Sequence, residues 1–151
     1  MRNWKSLAVF LLIVFAAAVT GAMSSPDGWF KALNKPWFNP PTWVFPPAWT
    51  ILYFLMAFAA WRVYLVAGIG AGLVVWGIQL IANAAWTPLF FGLHRIDLAL
   101  IDVAILWLLV LTTTILFFQR SRAAGYMLIP YLAWVSFAMT LTFAIWRLNP
   151  D

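Results

Sequence analysis

The chain has 151 residues, 66% hydrophobic and 9% charged, with a mean hydropathy of +0.94. Soluble domains carry about 25% charged residues, so this composition excludes an ordinary soluble protein and leaves an integral, multi-pass membrane protein. The net charge of +5 comes from bases scattered singly near the ends of apolar runs, which argues against a nucleic-acid partner. With no cysteine there is no disulfide, thiolate metal site or cysteine nucleophile, and the redox compartment stays open. His94, Asp27, Asp97, Asp102 and Asp151 are too few and too dispersed for a metal site.

A span needs roughly 20 apolar residues, so the length allows a single domain, 1–151, of about five. The first covers 4–23, behind Arg2 and Lys5, with Ala17 and Gly21 four apart as a face for close helix approach. Its basic start and small residues also fit a secretory signal, but the apolar run exceeds the roughly 7–15 residues of such a segment. The loop that follows is the longest. Within it, 27–33 can form a short helix carrying Trp29, Phe30 and Leu33 on one side.

Between Asn34 and Tyr53 the chain reads NKPWFNPPTWVFPPAWTILY, with Pro36, Pro40, Pro41, Pro46 and Pro47 set among Trp37, Trp43 and Trp49. Proline fixes φ, removes a donor and pushes the preceding residue out of the α region, so 35–41 is a stiff, extended connection. A stiff connection lined with indoles presents flat apolar area to whatever lies beneath, which suggests a lid over a hydrophobic site.

The second span, 44–66, begins with prolines in its first turn, and Trp61 and Arg62 anchor its far end. Gly68, Gly70 and Gly72 form a turn into the third, 71–91; no strand precedes them, so a dinucleotide loop is not indicated. The fourth covers 98–118. After a polar turn at Gln119–Arg122, the fifth covers 124–148 with Pro130 as an expected kink. Five bases on the N-terminal side against four on the other lean toward an inside N-terminus.

Polar groups inside the spans are the candidates for function. Gln79, Asn83 and Thr87 recur every fourth residue on one face of the third span, beside Trp86 and Phe90. They can bridge helices or meet a ligand. Tyr131, Trp134, Ala138 and Thr142 share a face of the fifth, and Trp134 lies at mid-membrane depth rather than in the interfacial belt, either as packing or as a pocket wall. Asp102, about one turn inside the fourth span, reads as a structural or helix-pairing carboxylate. No hydroxyl nucleophile with a base, phosphate loop or metal spacing is present.

Four motifs in order, N-K-P-x-F-x-P-P-x-W-V-F-x-P-A-W-T-x-L-Y at 34–53, N-x-x-W-T-P-x-F-F at 83–91, P-Y-x-x-W at 130–134 and W-R-L-N at 146–149, resemble the translocator protein family. This is the TspO/MBR group of bacterial tryptophan-rich sensory proteins and mitochondrial benzodiazepine receptors. The resemblance covers nearly the whole chain and implies an all-α five-transmembrane-helix bundle, usually dimeric, whose Pro/Trp-rich first loop is a lid. It implies porphyrin (tetrapyrrole) as ligand, with sterols and benzodiazepine-type compounds bound by animal members. No obligatory cofactor or metal is implied.

Carried over by position, the ligand-binding residues are Trp29, Phe30, Pro40, Trp49, Tyr53, Asn83, Trp86, Trp134 and Ala138. Trp29 and Trp134 match tryptophans linked in some members to light- and oxygen-dependent porphyrin breakdown, which makes them the catalytic candidates. The family's sterol motif is incomplete: Leu141, Phe143 and Arg147 lack its tyrosine hydroxyl, which argues against specific sterol binding. The leading reading is a membrane receptor or translocator for a tetrapyrrole. The alternatives are a tryptophan-dependent porphyrin-degrading enzyme and a structural or assembly protein. Inner or outer membrane is left open.

Overall fold

The computed structural model describes residues 4–22, 29 and 32–149. Five long helices follow one another: α1 (Trp4–Ala22), α2 (Phe45–Ala67), α3 (Ala71–Thr87), α4 (Ile96–Arg120) and α5 (Arg122–Leu148). The segment α2, α3 with its extension to Gly92, α4 and α5 are each long and apolar enough to cross a membrane, while α1 is a shorter apolar helix. The chain is an integral, multi-pass membrane protein.

Local chemistry sets the boundaries. A single 3-10 turn, Thr42–Val44, follows the proline-rich loop, closed by Val44 N–H donating to the Pro41 carbonyl at 3.0 Å. It feeds α2, whose first turn contains Pro46 and Pro47, where a missing N–H costs nothing. At the far end Gly68 adopts φ 69° and ψ −161°, a backbone region open essentially only to glycine, and the helix stops there. The third helix does not run regularly to Phe91. It widens after Thr87 into a π-type turn, Pro88–Gly92, in which Leu93 N–H reaches back five residues to the Pro88 carbonyl at 2.8 Å. The polar turn expected at 119–122 contracts to Ser121, which is extended and caps α5 by accepting a hydrogen bond from Ala124 N–H at 3.3 Å. Helix α5 continues through Pro130. The short helix expected at 27–33 lies mostly outside the described residues.

Packing closes the helices into a ring: α1 lies on α2 and α3, α2 on α5, α5 on α4, and α4 on α3. Small side chains let the axes approach. Ala57, Ala59 and Ala60 of α2 are fully buried, and a Cβ on Gly125 would clash with the Phe118 ring. The outward faces carry Ile51, Phe54, Ile78, Ile81, Ile101, Ile105 and Leu108, all exposed, the distribution expected when the surrounding solvent is hydrocarbon. The threonine hydroxyls of α4 are satisfied locally. Thr112, Thr113 and Thr114 each donate to the carbonyl four residues back, at 2.7–2.8 Å. Trp107 Nε1–H ties α4 to α5 by donating to Ser136 Oγ at 2.8 Å.

Candidate functional site: an aromatic cluster over a buried polar chain

The proline-started α2 sets Trp49 and Tyr53 four residues apart on one face, their rings 5.5 Å apart and tilted by 31°. That face meets α5. Trp49 lies edge-on to both Tyr131 (6.3 Å, 71°) and Trp134 (6.3 Å, 86°), and Phe45 and Phe137 close round Trp134 at 5.9 and 5.5 Å. From α3, Trp86 stacks on Phe90 at 4.9 Å and packs both on the main hydrophobic core that Trp49 and Trp134 also touch and on a second one built on Phe90, Ile96, Ala99, Leu141 and Ile145.

Beneath the indoles runs a directed chain of side-chain hydrogen bonds. Tyr53 OH donates to Asn83 Oδ1 at 2.9 Å, Asn83 Nδ2 donates to Tyr131 OH at 2.8 Å, and Tyr131 OH donates to Gln79 Oε1 at 2.5 Å. Gln79 Nε2 then faces Met56 Sδ at 3.9 Å. Asn83, Tyr131 and Gln79 are buried, and donors arranged head to tail strengthen one another in a low-dielectric interior. This chain holds α2, α3 and α5 in register under the rings. Thr87, the third member of the polar stripe, is only half-buried and takes no part in it.

Above this floor, the Nε1–H groups of Trp86 and Trp134 are buried and find no hydrogen-bond partner among the described residues. A buried donor without an acceptor costs about 1–3 kcal/mol, and two in one aromatic cluster create a demand for acceptors. The carboxylate oxygen Oδ2 of Asp102 is likewise buried without a partner among the described residues, so that oxygen forms no bond between helices.

The sequence-derived site residues divide into groups. Trp49, Tyr53, Asn83 and Trp134 are joined by ring contacts and a hydrogen bond between α2, α3 and α5, and Trp86 and Ala138 pack on the same hydrophobic core. Trp29 is one layer away, stacked face-to-face on His94 at 4.2 Å and edge-on to Phe90 at 5.7 Å, so Phe90 connects it to Trp86. Pro40 is half-buried in the loop, and Phe30 lies outside the described residues. The loop indoles Trp37 and Trp43 do not line an underside: they are 94% and 72% exposed, where amphipathic rings anchor a chain at a membrane interface. The aromatic partners Phe45 and Phe137 were not singled out from sequence, although each stands three or four residues from a tryptophan of the site, the spacing of helical neighbours. Two cavities lie elsewhere, one of about 70 Å³ at the α2–α3 turn and an open groove of about 340 Å³ between α4 and α5. Neither is lined by Trp29, Trp49, Trp86 or Trp134.

A polytopic helical membrane protein with an aromatic cluster set over a buried polar chain is the class these features define. Residues 8–147 match the TspO/MBR family, and the chain belongs to that family. It is 48% identical over 147 residues to the tryptophan-rich sensory protein of Cereibacter sphaeroides, covering 97% of this chain and 93% of that one. It is 42% identical over 150 residues to protein CrtK of Rhodobacter capsulatus, covering 95% and 92%. To the human translocator protein it is 36% identical over 126 residues, covering 80% and 75%.

Proposed function

We propose that this protein is a membrane receptor for a flat, hydrophobic tetrapyrrole, which it binds between α2, α3 and α5 with the proline-rich loop as lid and α1 as a fifth span. The observation that carries the reading is the edge-on contact of Trp49 on α2 with Trp134 on α5, with Trp86 of α3 on the same hydrophobic core and the N–H donors of Trp86 and Trp134 buried without a partner among the described residues. Indole faces supply apolar area for a macrocycle, and the free donors suit its carboxylate or carbonyl oxygens. The ring contacts at 5.5–6.3 Å leave the walls touching, so binding parts Trp49 from Trp134 rather than filling a standing void. Family membership supports the same reading, since relatives carry the names sensory protein and translocator protein.

The test is a titration of the detergent- or nanodisc-held protein with protoporphyrin IX, read by quenching of tryptophan emission. Saturable quenching weakened by Trp134→Phe and by Asn83→Ala is the expected result. A quench that stays linear with porphyrin would end the receptor reading.

A degradative role is the second reading, resting on Trp134 at the site and on Trp29 one layer away. Porphyrin loss under light and oxygen, compared among wild type, Trp29→Phe and Trp134→Phe, separates it from photosensitised damage, which proceeds alike in all three. The homodimer implied by the family resemblance belongs to the same proposal, and cross-linking in native membranes tests it.

A further inference from the structure

Residues 115 apart in sequence meet where the proline-rich loop reaches the end of α5. Asn149 is the C-cap of α5, and its side-chain amide is aimed by the helix itself: Nδ2 donates one hydrogen to the Ile145 carbonyl at 2.8 Å. The other hydrogen goes to the Asn34 carbonyl at 2.7 Å, and Asn149 Oδ1 accepts from Asn34 N–H at 2.9 Å. The amide of Asn149 thus imitates a peptide group, pairing with both main-chain groups of one loop residue as a neighbouring strand would. Asn34 contributes little through its own side chain, whose Nδ2 reaches the Leu148 carbonyl only at 3.4 Å.

We propose that Asn149 is a latch that fastens the loop to the end of α5, and that its release sets the rate at which ligand enters and leaves the aromatic cluster. The loop's apolar contacts include Phe38 edge-on to Phe137 of α5 at 6.2 Å, with Leu33 and Phe38 on the cluster that holds Leu141 and Ile145, and Phe137 itself packs on Trp134 at 5.5 Å. Freeing residue 34 therefore loosens Phe38 from the Phe137 ring that packs on Trp134. The latch bonds are solvent-exposed, so water competes for them and opening remains thermally accessible, as a gate requires. Only an amide carries a donor and an acceptor at these places. A carboxylate would set lone pairs against the carbonyls of Asn34 and Ile145, and an isosteric leucine offers neither group.

The gate rests on the receptor reading; the latch does not, and two measurements separate them. In ligand-free protein held in nanodiscs, amide hydrogen exchange over residues 32–41 reports the latch alone. Asn149→Leu should speed it by about tenfold, the loss of a pair of exposed hydrogen bonds. Asn149→Asp should do at least as much, while Asn34→Ala, which keeps the main-chain pairing, should change it by less than about threefold. Asn149→Gln retains the amide and should fall closer to wild type than to Asn149→Leu.

In the second measurement, protoporphyrin IX dissociation followed by recovery of tryptophan emission should accelerate in the same order. Unchanged exchange in Asn149→Leu, or an equal effect of Asn34→Ala, would overturn the latch. Faster exchange with unaltered dissociation would overturn its role as a gate. Absence of porphyrin binding by the wild-type protein would overturn the receptor reading and the gate with it, while the exchange contrast still decides the latch.

Discussion

Replacing Tyr131 by phenylalanine removes one oxygen and strips partners from two buried groups, Asn83 Nδ2 and Gln79 Oε1. Replacing Tyr53 strips only Asn83 Oδ1. Each orphaned buried group costs about 1–3 kcal/mol in water-soluble proteins, and bonds between membrane helices average about 0.6 kcal/mol. Weighting both scales, Tyr131→Phe should destabilise the bundle by about 2 kcal/mol and Tyr53→Phe by about 1 kcal/mol, a difference of roughly fivefold in the unfolding constant. Unfolding of the protein in mixed micelles of rising dodecyl sulfate content, followed by helical circular dichroism, measures both. Because Asn83 touches both tyrosines, the double variant should depart from additivity by about 0.5 kcal/mol or more. An effect of Tyr131→Phe no larger than that of Tyr53→Phe would refute the directed chain as the element holding α2, α3 and α5 in register.

Other substitutions address separate parts of the account. Gly125→Ala places a methyl group in clash with the Phe118 ring, already edge-on to Tyr126 at 5.0 Å, and should cost about 1–3 kcal/mol of stability in the same unfolding assay. Ser136→Ala should cost about 1 kcal/mol by leaving Trp107 Nε1–H without its acceptor, whereas Ser136→Ala combined with Trp107→Phe should recover part of that loss. Trp37→Phe should leave porphyrin quenching unchanged, while Trp49→Phe should weaken it by about tenfold, loss of one wall of the cluster.

The second helix was readable because it is bounded by residues with fixed backbone demands. Pro46 and Pro47 at the start of α2, and Gly68 at its end, place that helix at Phe45–Ala67 against an expected 44–66. The third helix was less legible. Pro88 marks where regular hydrogen bonding lapses, but the choice of a π-type turn depends on tertiary packing of Phe90 and Phe91 that periodicity does not carry. The polar stripe of Gln79 and Asn83 was visible as a four-residue spacing, but its partners Tyr53 and Tyr131 lie on other helices and emerge only from the fold. The pairing of Asn34 with Asn149 is farther still from sequence reach, since exposed asparagines near helix ends carry no periodic signal. The loop tryptophans gave the opposite difficulty. Composition alone does not distinguish Trp37, turned to the interface, from Trp49, turned to the bundle; the helical register after Pro47 makes that choice.

The most direct test of the central claim is the set of indole N–H resonances of the isotopically labelled protein, assigned by single tryptophan replacements and followed as protoporphyrin IX is added. Trp86 and Trp134 Nε1–H should shift along one saturable curve as these donors, without a partner among the described residues, find acceptors, with Trp37 and Trp43 unmoved. Shifts confined to Trp37 and Trp43, with Trp86 and Trp134 unaltered at saturating porphyrin, would contradict it.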